Sequence, residues 1–175
     1  MREDIERAVA ESKIGLFLYK SELKNIEKYL ASDEQVILVT PASIKIVPTV
    51  SIGKATVNPL SLKNKTQGLL FITGQRVLHY HKPILGETFE QMAIDAIASV
   101  DYTKKQSVFF NNDGILRLGS ITKVMEFELT HDVGEKTVAL LSDLQKRAKN
   151  VPPPMVQLAE KPVTQKMQEL KQLLD

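Results

Sequence analysis

The chain has 175 residues, a formal net charge of +2 and no cysteine. That length suits one medium domain with extensions. The missing cysteine excludes disulfides, thiolate nucleophiles and Cys-ligated zinc, and so slight a charge does not announce a nucleic-acid partner.

The first apolar run, Ile14 to Tyr19, is far short of the roughly 20 residues a membrane-spanning helix needs, and no signal peptide is visible, so the expected compartment is the cytoplasm. Residues 2–31 have helical periodicity. Ile5, Ala8, Val9 and Ser12 fall on one face, and after a break near Gly15 the residues Leu23, Ile26 and Leu30 recur at helical spacing. This stripe either docks on its own domain or serves as an oligomerisation arm, in which case Leu23, Ile26 and Leu30 are partner contacts. Docking at home is the commoner use of an amphipathic helix.

Ser32-Asp33-Glu34 reads as a turn. Gln35 to Val39 is a β-rich run that Ala42 to Val47 extends, with Pro41 marking an edge, bend or bulge. Residues 48–67 mix apolar positions with Pro48, Gly53, Asn58 and Pro59, which predicts an extra hairpin together with loop. Gly68 to His81 is the strongest β signal: two apolar runs around Gly74-Gln75, read as a tight hairpin with a II′ turn and left-handed backbone at Gly74. Thr88 to Ile94 reads as a strand, Ile94 to Ala98 as one helical turn, and Val100 and Tyr102 as inward positions of the next strand. Asn111-Asn112-Asp113-Gly114 reads as a turn. Met125, Phe127 and Leu129 alternate with Glu126 and Glu128, as in a strand with one wet face. A helix follows, with Asp132-Val133-Gly134-Glu135 as a capping box and Val133, Thr137, Leu140, Leu141, Leu144 and Ala148 as its stripe. Pro152-Pro153-Pro154 gives a stiff spacer. In the tail, Val163, Met167, Leu170 and Leu174 form a short amphipathic stripe. It runs to Asp175 without a Gly cap, as though the helix were cut short, and so short a helix needs a partner to be stable.

Gly68-Leu-Leu-Phe-Ile-Thr73, the two-residue turn and Arg76-Val-Leu resemble the hairpin of bacterial pleckstrin-homology (PH) domains. Phe89 to Val100 resembles that family's next strand and its turn into the following one, and Gly114 to Gly119, Met125 to Leu129 and the helix from Val133 complete the pattern. The resemblance covers residues 34–149. It implies an α+β, mainly β fold: a bent, PH-like antiparallel barrel or sandwich of seven strands capped by a C-terminal helix. Residues 48–67 are an insertion relative to that pattern. The tail resembles the first helix of the short C-terminal (SHOCT) motif, without its following turn and second helix. The expected organisation is an N-terminal helical extension (1–33), the PH-like domain (34–150), a Pro-rich linker (151–162) and a short helix (163–175).

No residue set names a reaction. His79 and His81 share a strand face, and with Glu87 they offer a conceivable metal site, but a structural His pair is the simpler reading. Glu126 and Glu128 read as solvent-face residues, not an acid/base pair. Thr73 and Arg76 read as hairpin structure, the Arg serving strand-end carbonyls. No catalytic residue, metal site, cofactor or nucleic-acid partner is expected. Lys45, Lys54, Lys63 and Lys65 make residues 45–65 the most basic stretch, a candidate for weak anionic-lipid contact. The leading expectation is a non-enzymatic module that binds another protein or itself. Its contacts would be the stripes Leu23, Ile26, Leu30 and Val163, Met167, Leu170, Leu174, with peripheral binding to an anionic membrane as the alternative.

Overall fold

The computed structural model describes residues 1–12, 15–48, 51–52, 55–56, 65–83, 85–105 and 113–150. The chain opens with α1 (Glu3–Ser12), a 3-10 turn (Leu16–Tyr19), α2 (Lys20–Asn25) and a second 3-10 turn (Ile26–Tyr29). The strands are β1 (Val36–Pro48), the small pair β2 (Ser51–Ile52) and β3 (Ala55–Thr56), β4 (Thr66–Thr73), β5 (Arg76–His81), β6 (Thr88–Ala93), β7 (Ser99–Lys104), β8 (Asp113–Gly119) and β9 (Lys123–Thr130). Helix α3 (His131–Asn150) ends the described fold. The strands other than β2 and β3 form one seven-stranded antiparallel sheet, ordered β6-β5-β4-β1-β9-β8-β7.

Strand β1 makes the bend. Its first part pairs with β4, from Val36↔Thr73 to Ile44↔Thr66, and its last part pairs with β9, from Ser43↔Glu128 to Pro48↔Lys123. Pro41 lies before the β9 pairing begins, where its missing N–H costs no bond on that side. The bulge is earlier, between Val36 and Leu38. The two halves of the sheet face each other over one core. Ala42, Ile44, Leu70, Ile72, Val77 and Met92 come from one half, and Leu116, Leu118, Met125 and Phe127 from the other. Leu141 and Leu144 of α3 close it. This is an α+β, mainly β architecture, a bent antiparallel sheet of seven strands capped by a C-terminal helix, as the resemblance implies.

A second core lies on the outer face of the first half. Val36, Val39, Leu69, Phe71, Leu78 and Tyr80 meet Ile5, Ala8 and Val9 of α1, Leu23 of α2 and Ile26. Buried on both faces, β4 is a continuous apolar run instead of an alternating one. At about 1.5–3 kcal/mol for each fully buried large aliphatic side chain, these helices add substantially to stability. Polar bonds fix where they dock. Asp4 accepts the Val36 N–H at 2.8 Å. Arg2 binds the Asp4 carboxylate at 3.1 Å and donates to the backbone carbonyls of Ala31 and Glu34.

Four local expectations are corrected. Gly74 does not adopt left-handed backbone; among the described glycines only Gly86 has positive φ, at 91°. The β4–β5 turn is closed instead by the Thr73 hydroxyl, which accepts the N–H groups of Gln75 (3.2 Å) and Arg76 (3.0 Å). Asp113 and Gly114 belong to β8 and not to a turn. Asp132 lies inside α3, which starts at His131 immediately after β9, so it is not an N-cap. Ala148 is exposed; the buried face of α3 runs through Gly134, Thr137, Leu141 and Leu144. The extra hairpin expected within residues 48–67 is the β2–β3 pair.

Gly114 and Gly134 have a shared reason to be glycine. A Cβ on Gly114 would stand 2.2 Å from the Tyr102 hydroxyl oxygen, and one on Gly134 would stand 2.4 Å from its ring. The Tyr102 ring therefore lies against both backbones and seats the start of α3 on β7 and β8.

Candidate functional site

The charged residues inside the fold are structural. Glu34 has a fully buried side chain in a forked pair with Arg76, its oxygens 2.8 Å from Nε and 2.6 Å from Nη2. It also accepts the Thr73 hydroxyl at 2.8 Å and the Ala31 N–H at 3.1 Å. Burial alone would raise the Glu34 carboxyl. The hydrogen bonds from Arg76, Thr73 and Ala31 outweigh burial and hold it below the usual carboxylate range. Arg76 also donates to the Tyr29 carbonyl at 2.7 Å and to Gln91. One guanidinium thus ties the end of the helical arm, the β4–β5 turn and β6 together.

His79 is fully buried and donates Nε2–H to the Ala42 carbonyl at 3.2 Å, while Nδ1 has no hydrogen-bond partner. Burial pulls its pKa down to about 4, so the ring is neutral. His81 lies at the surface, its Nδ1 3.8 Å from Glu22. Glu87 is engaged elsewhere, by Lys28 at 2.7 and 2.8 Å and by the Tyr29 hydroxyl at 2.5 Å, contacts that lower it to about 2. The three groups of the conceivable metal site are therefore each held by different neighbours.

The outer face of the second half-sheet is polar and carries a regular charge pattern. Strand register sets Lys45 of β1 opposite Glu126 of β9, Glu126 opposite Arg117 of β8, and Arg117 opposite Asp101 of β7. Charge alternates across the four strands, and Arg117 Nε meets Glu126 Oε1 at 2.8 Å. In the adjacent row Glu128 is clamped by Lys65 at 2.7 Å and by Lys105, which together hold its carboxyl below the usual range. Ser43, Lys45, Lys65, Ile115, Glu126 and Glu128 line a shallow groove there. The pattern ends on Asp101 at β7, which has β8 on one side and no strand on the other among the described residues. The Lys105 N–H bonds the Asp113 carbonyl at 2.9 Å. By alternation Thr103 and Asp101 also direct their backbone bonds to β8, and the Lys104 N–H faces away from it. The start of α3 flanks this edge, with Lys104 Nζ 2.8 Å from Glu135.

Of the predicted lipid-contact residues, Lys45 and Lys65 share the groove, while Lys54 and Lys63 lie outside the described residues. Leu23 and Ile26 are buried against the chain's own sheet, and Leu30 packs half-buried beside them. Val163, Met167, Leu170 and Leu174 lie outside the described residues, as do the Pro-rich linker and the SHOCT-like helix. Sequence reasoning missed two acids. Glu34 reads in the sequence as part of a turn, and its pairing with Arg76 spans 42 residues, beyond any local pattern. Asp101 stands between the inward positions Val100 and Tyr102, and that alternation was its available signal. Among the described residues no group of three or more His, Cys, Asp or Glu is placed to hold a metal ion, and no helix is long and apolar enough to cross a membrane.

No family model matches the chain, and no curated protein matches it. Similar solved structures include the N-terminal PH domain of Vps36, with a TM-score of 0.46 and 17% identity over 68% of this chain and 84% of that one. A pleckstrin homology domain from Shewanella amazonensis has a TM-score of 0.44 and 15% identity over 77% and 90%. The hSac2 domain from human phosphoinositide phosphatase Sac2 has a TM-score of 0.46 and 10% identity over 74% and 81%.

Proposed function

We propose that the chain is a non-enzymatic PH-like module that works through protein–protein contact, self-assembly above all. The observation that carries this reading is the edge of β7 beside α3, which has no further strand among the described residues and presents a row of backbone groups suited to strand addition. Two others support it. Among the described residues, the candidate groups Glu34, His79, Glu87, Glu126 and Glu128 are engaged in bonds within the fold. The N-terminal stripe is taken up by the chain's own sheet, which leaves the sequence stripe Val163, Met167, Leu170 and Leu174 as the second contact. Sedimentation velocity on the full chain, from low to several hundred micromolar, tests the reading. Concentration-dependent association is the expected outcome, and a monomer throughout the range overturns it.

Peripheral binding to an anionic membrane is the second reading, favoured by the lysines of residues 45–65. Against it, Lys65 is paired with Glu128, and Lys45 stands opposite Glu126. Salt-sensitive pelleting with phosphatidylglycerol vesicles, absent with neutral vesicles, is the result that would favour it.

A further inference from the structure

We infer that the occupant of the β7 edge is β7 of a second copy, paired antiparallel about Thr103 so that Asp101 of each chain faces Lys105 of the other. This rests on the self-assembly reading above and names its interface.

Lys45, Glu126, Arg117 and Asp101 alternate in sign across β1, β9, β8 and β7. Arg117 is committed to Glu126 at 2.8 Å. Asp101 is exposed and makes no ion pair with a described residue. A cation opposite Asp101 on the same face of the next strand would continue the row. Like charges opposite each other destabilise a strand pair, and opposite charges support it.

Strand β7 carries that cation itself. In an antiparallel pair about a two-fold axis normal to the sheet, residues directly opposite share a face, so Asp101 can meet only odd-numbered residues of the other strand. Pairing Asp101 with itself sets acid against acid. Centring on Thr103 sets Asp101 against Lys105, which is exposed and follows the strand directly. The arrangement is self-complementary: each copy contributes one acid and one base, and the row continues across the dimer. The outward Lys104 N–H then lies within the new ladder. Lys65 continues to hold Glu128 when Lys105 is drawn toward the other copy. The five residues from Asp101 to Lys105 form a small contact, so the association is weak and salt-sensitive.

The test uses Asp101→Lys and Lys105→Asp as separate full-length proteins, compared with the wild type by sedimentation velocity, with thermal midpoints confirming that each folds. Each variant alone faces like charges across the axis and is expected to associate about tenfold more weakly or worse. An equimolar mixture restores both opposite-charge pairs, because each chain then supplies what the other lacks, so association returns toward the wild-type level. A third variant, Lys104→Pro, removes an outward N–H without touching the β8 ladder and is expected to abolish association. If the wild type associates and both charge variants do so equally well, the edge inference is overturned and the self-assembly reading stands. If the variants fail alone and also fail when mixed, the Asp101–Lys105 register is overturned. If the wild type is monomeric throughout, both readings fall.

Discussion

Two buried polar residues make the fold sensitive to charge and pH. Removing one partner of a buried ion pair strands the other, at a cost of about 3–5 kcal/mol. Glu34→Gln should lie near the lower end, because the amide oxygen can still accept from Arg76; denaturant unfolding measures it. Replacing Glu34 and Arg76 together by leucines should cost less than the sum of the two single changes. For His79 the ring is neutral when folded, its pKa pulled from 6.5 to about 4 by burial, with only partial relief from the Ala42 carbonyl. The unfolded chain takes up that proton near pH 6.5. Stability therefore falls as pH drops below 6.5, at up to about 1.4 kcal/mol per pH unit, and the His79 contribution levels off near pH 4. Glu34, held below its ordinary range, adds a further loss at the acid end. His79→Leu should flatten the profile between pH 6.5 and 4; an unchanged slope would show that another group titrates.

The elements divide into those whose signal was local and those whose signal was not. The hairpin Gly68–His81 was legible because both its strands are apolar runs separated by two residues, and the register Ile72↔Val77 bears this out. The reason for its unbroken apolarity was readable too. A strand with one wet face alternates, as β9 does, whereas the run from Leu69 to Ile72 signals cover on both sides. That cover is the N-terminal helical arm. Ile26→Ala should then cost about 2–5 kcal/mol and lower the midpoint of the whole domain in one transition; separate melting of the arm would contradict this. The capping-box expectation failed because α3 starts at His131, directly after β9, and the turn expectation because β8 already holds Asp113 and Gly114; the two glycines, Gly134 and Gly114, serve packing instead. Both make room for the Tyr102 ring, a contact between residues far apart in sequence. Gly134→Ala should destabilise by about 1–3 kcal/mol through overpacking, measured by thermal melting. The charge row was not legible for the same reason as the Glu34–Arg76 pair: it exists only once β1, β9, β8 and β7 are in register.

At the scale of the molecule, the sheet's surfaces are used unequally. One half is covered on its outer face by helices, the other is laced with ion pairs, and among the described residues β7 is one of the sheet's two edges and ends the charge row on Asp101, which makes no ion pair there. The proposed self-assembly would use that edge. Hydrogen exchange read segment by segment at low and at high protein concentration tests this most directly. Residues 99–105 should gain protection as concentration rises, led by the outward Lys104 amide, while α1, β4 and β5 stay equally protected at both. Association that leaves residues 99–105 exchanging at the same rate would contradict the account.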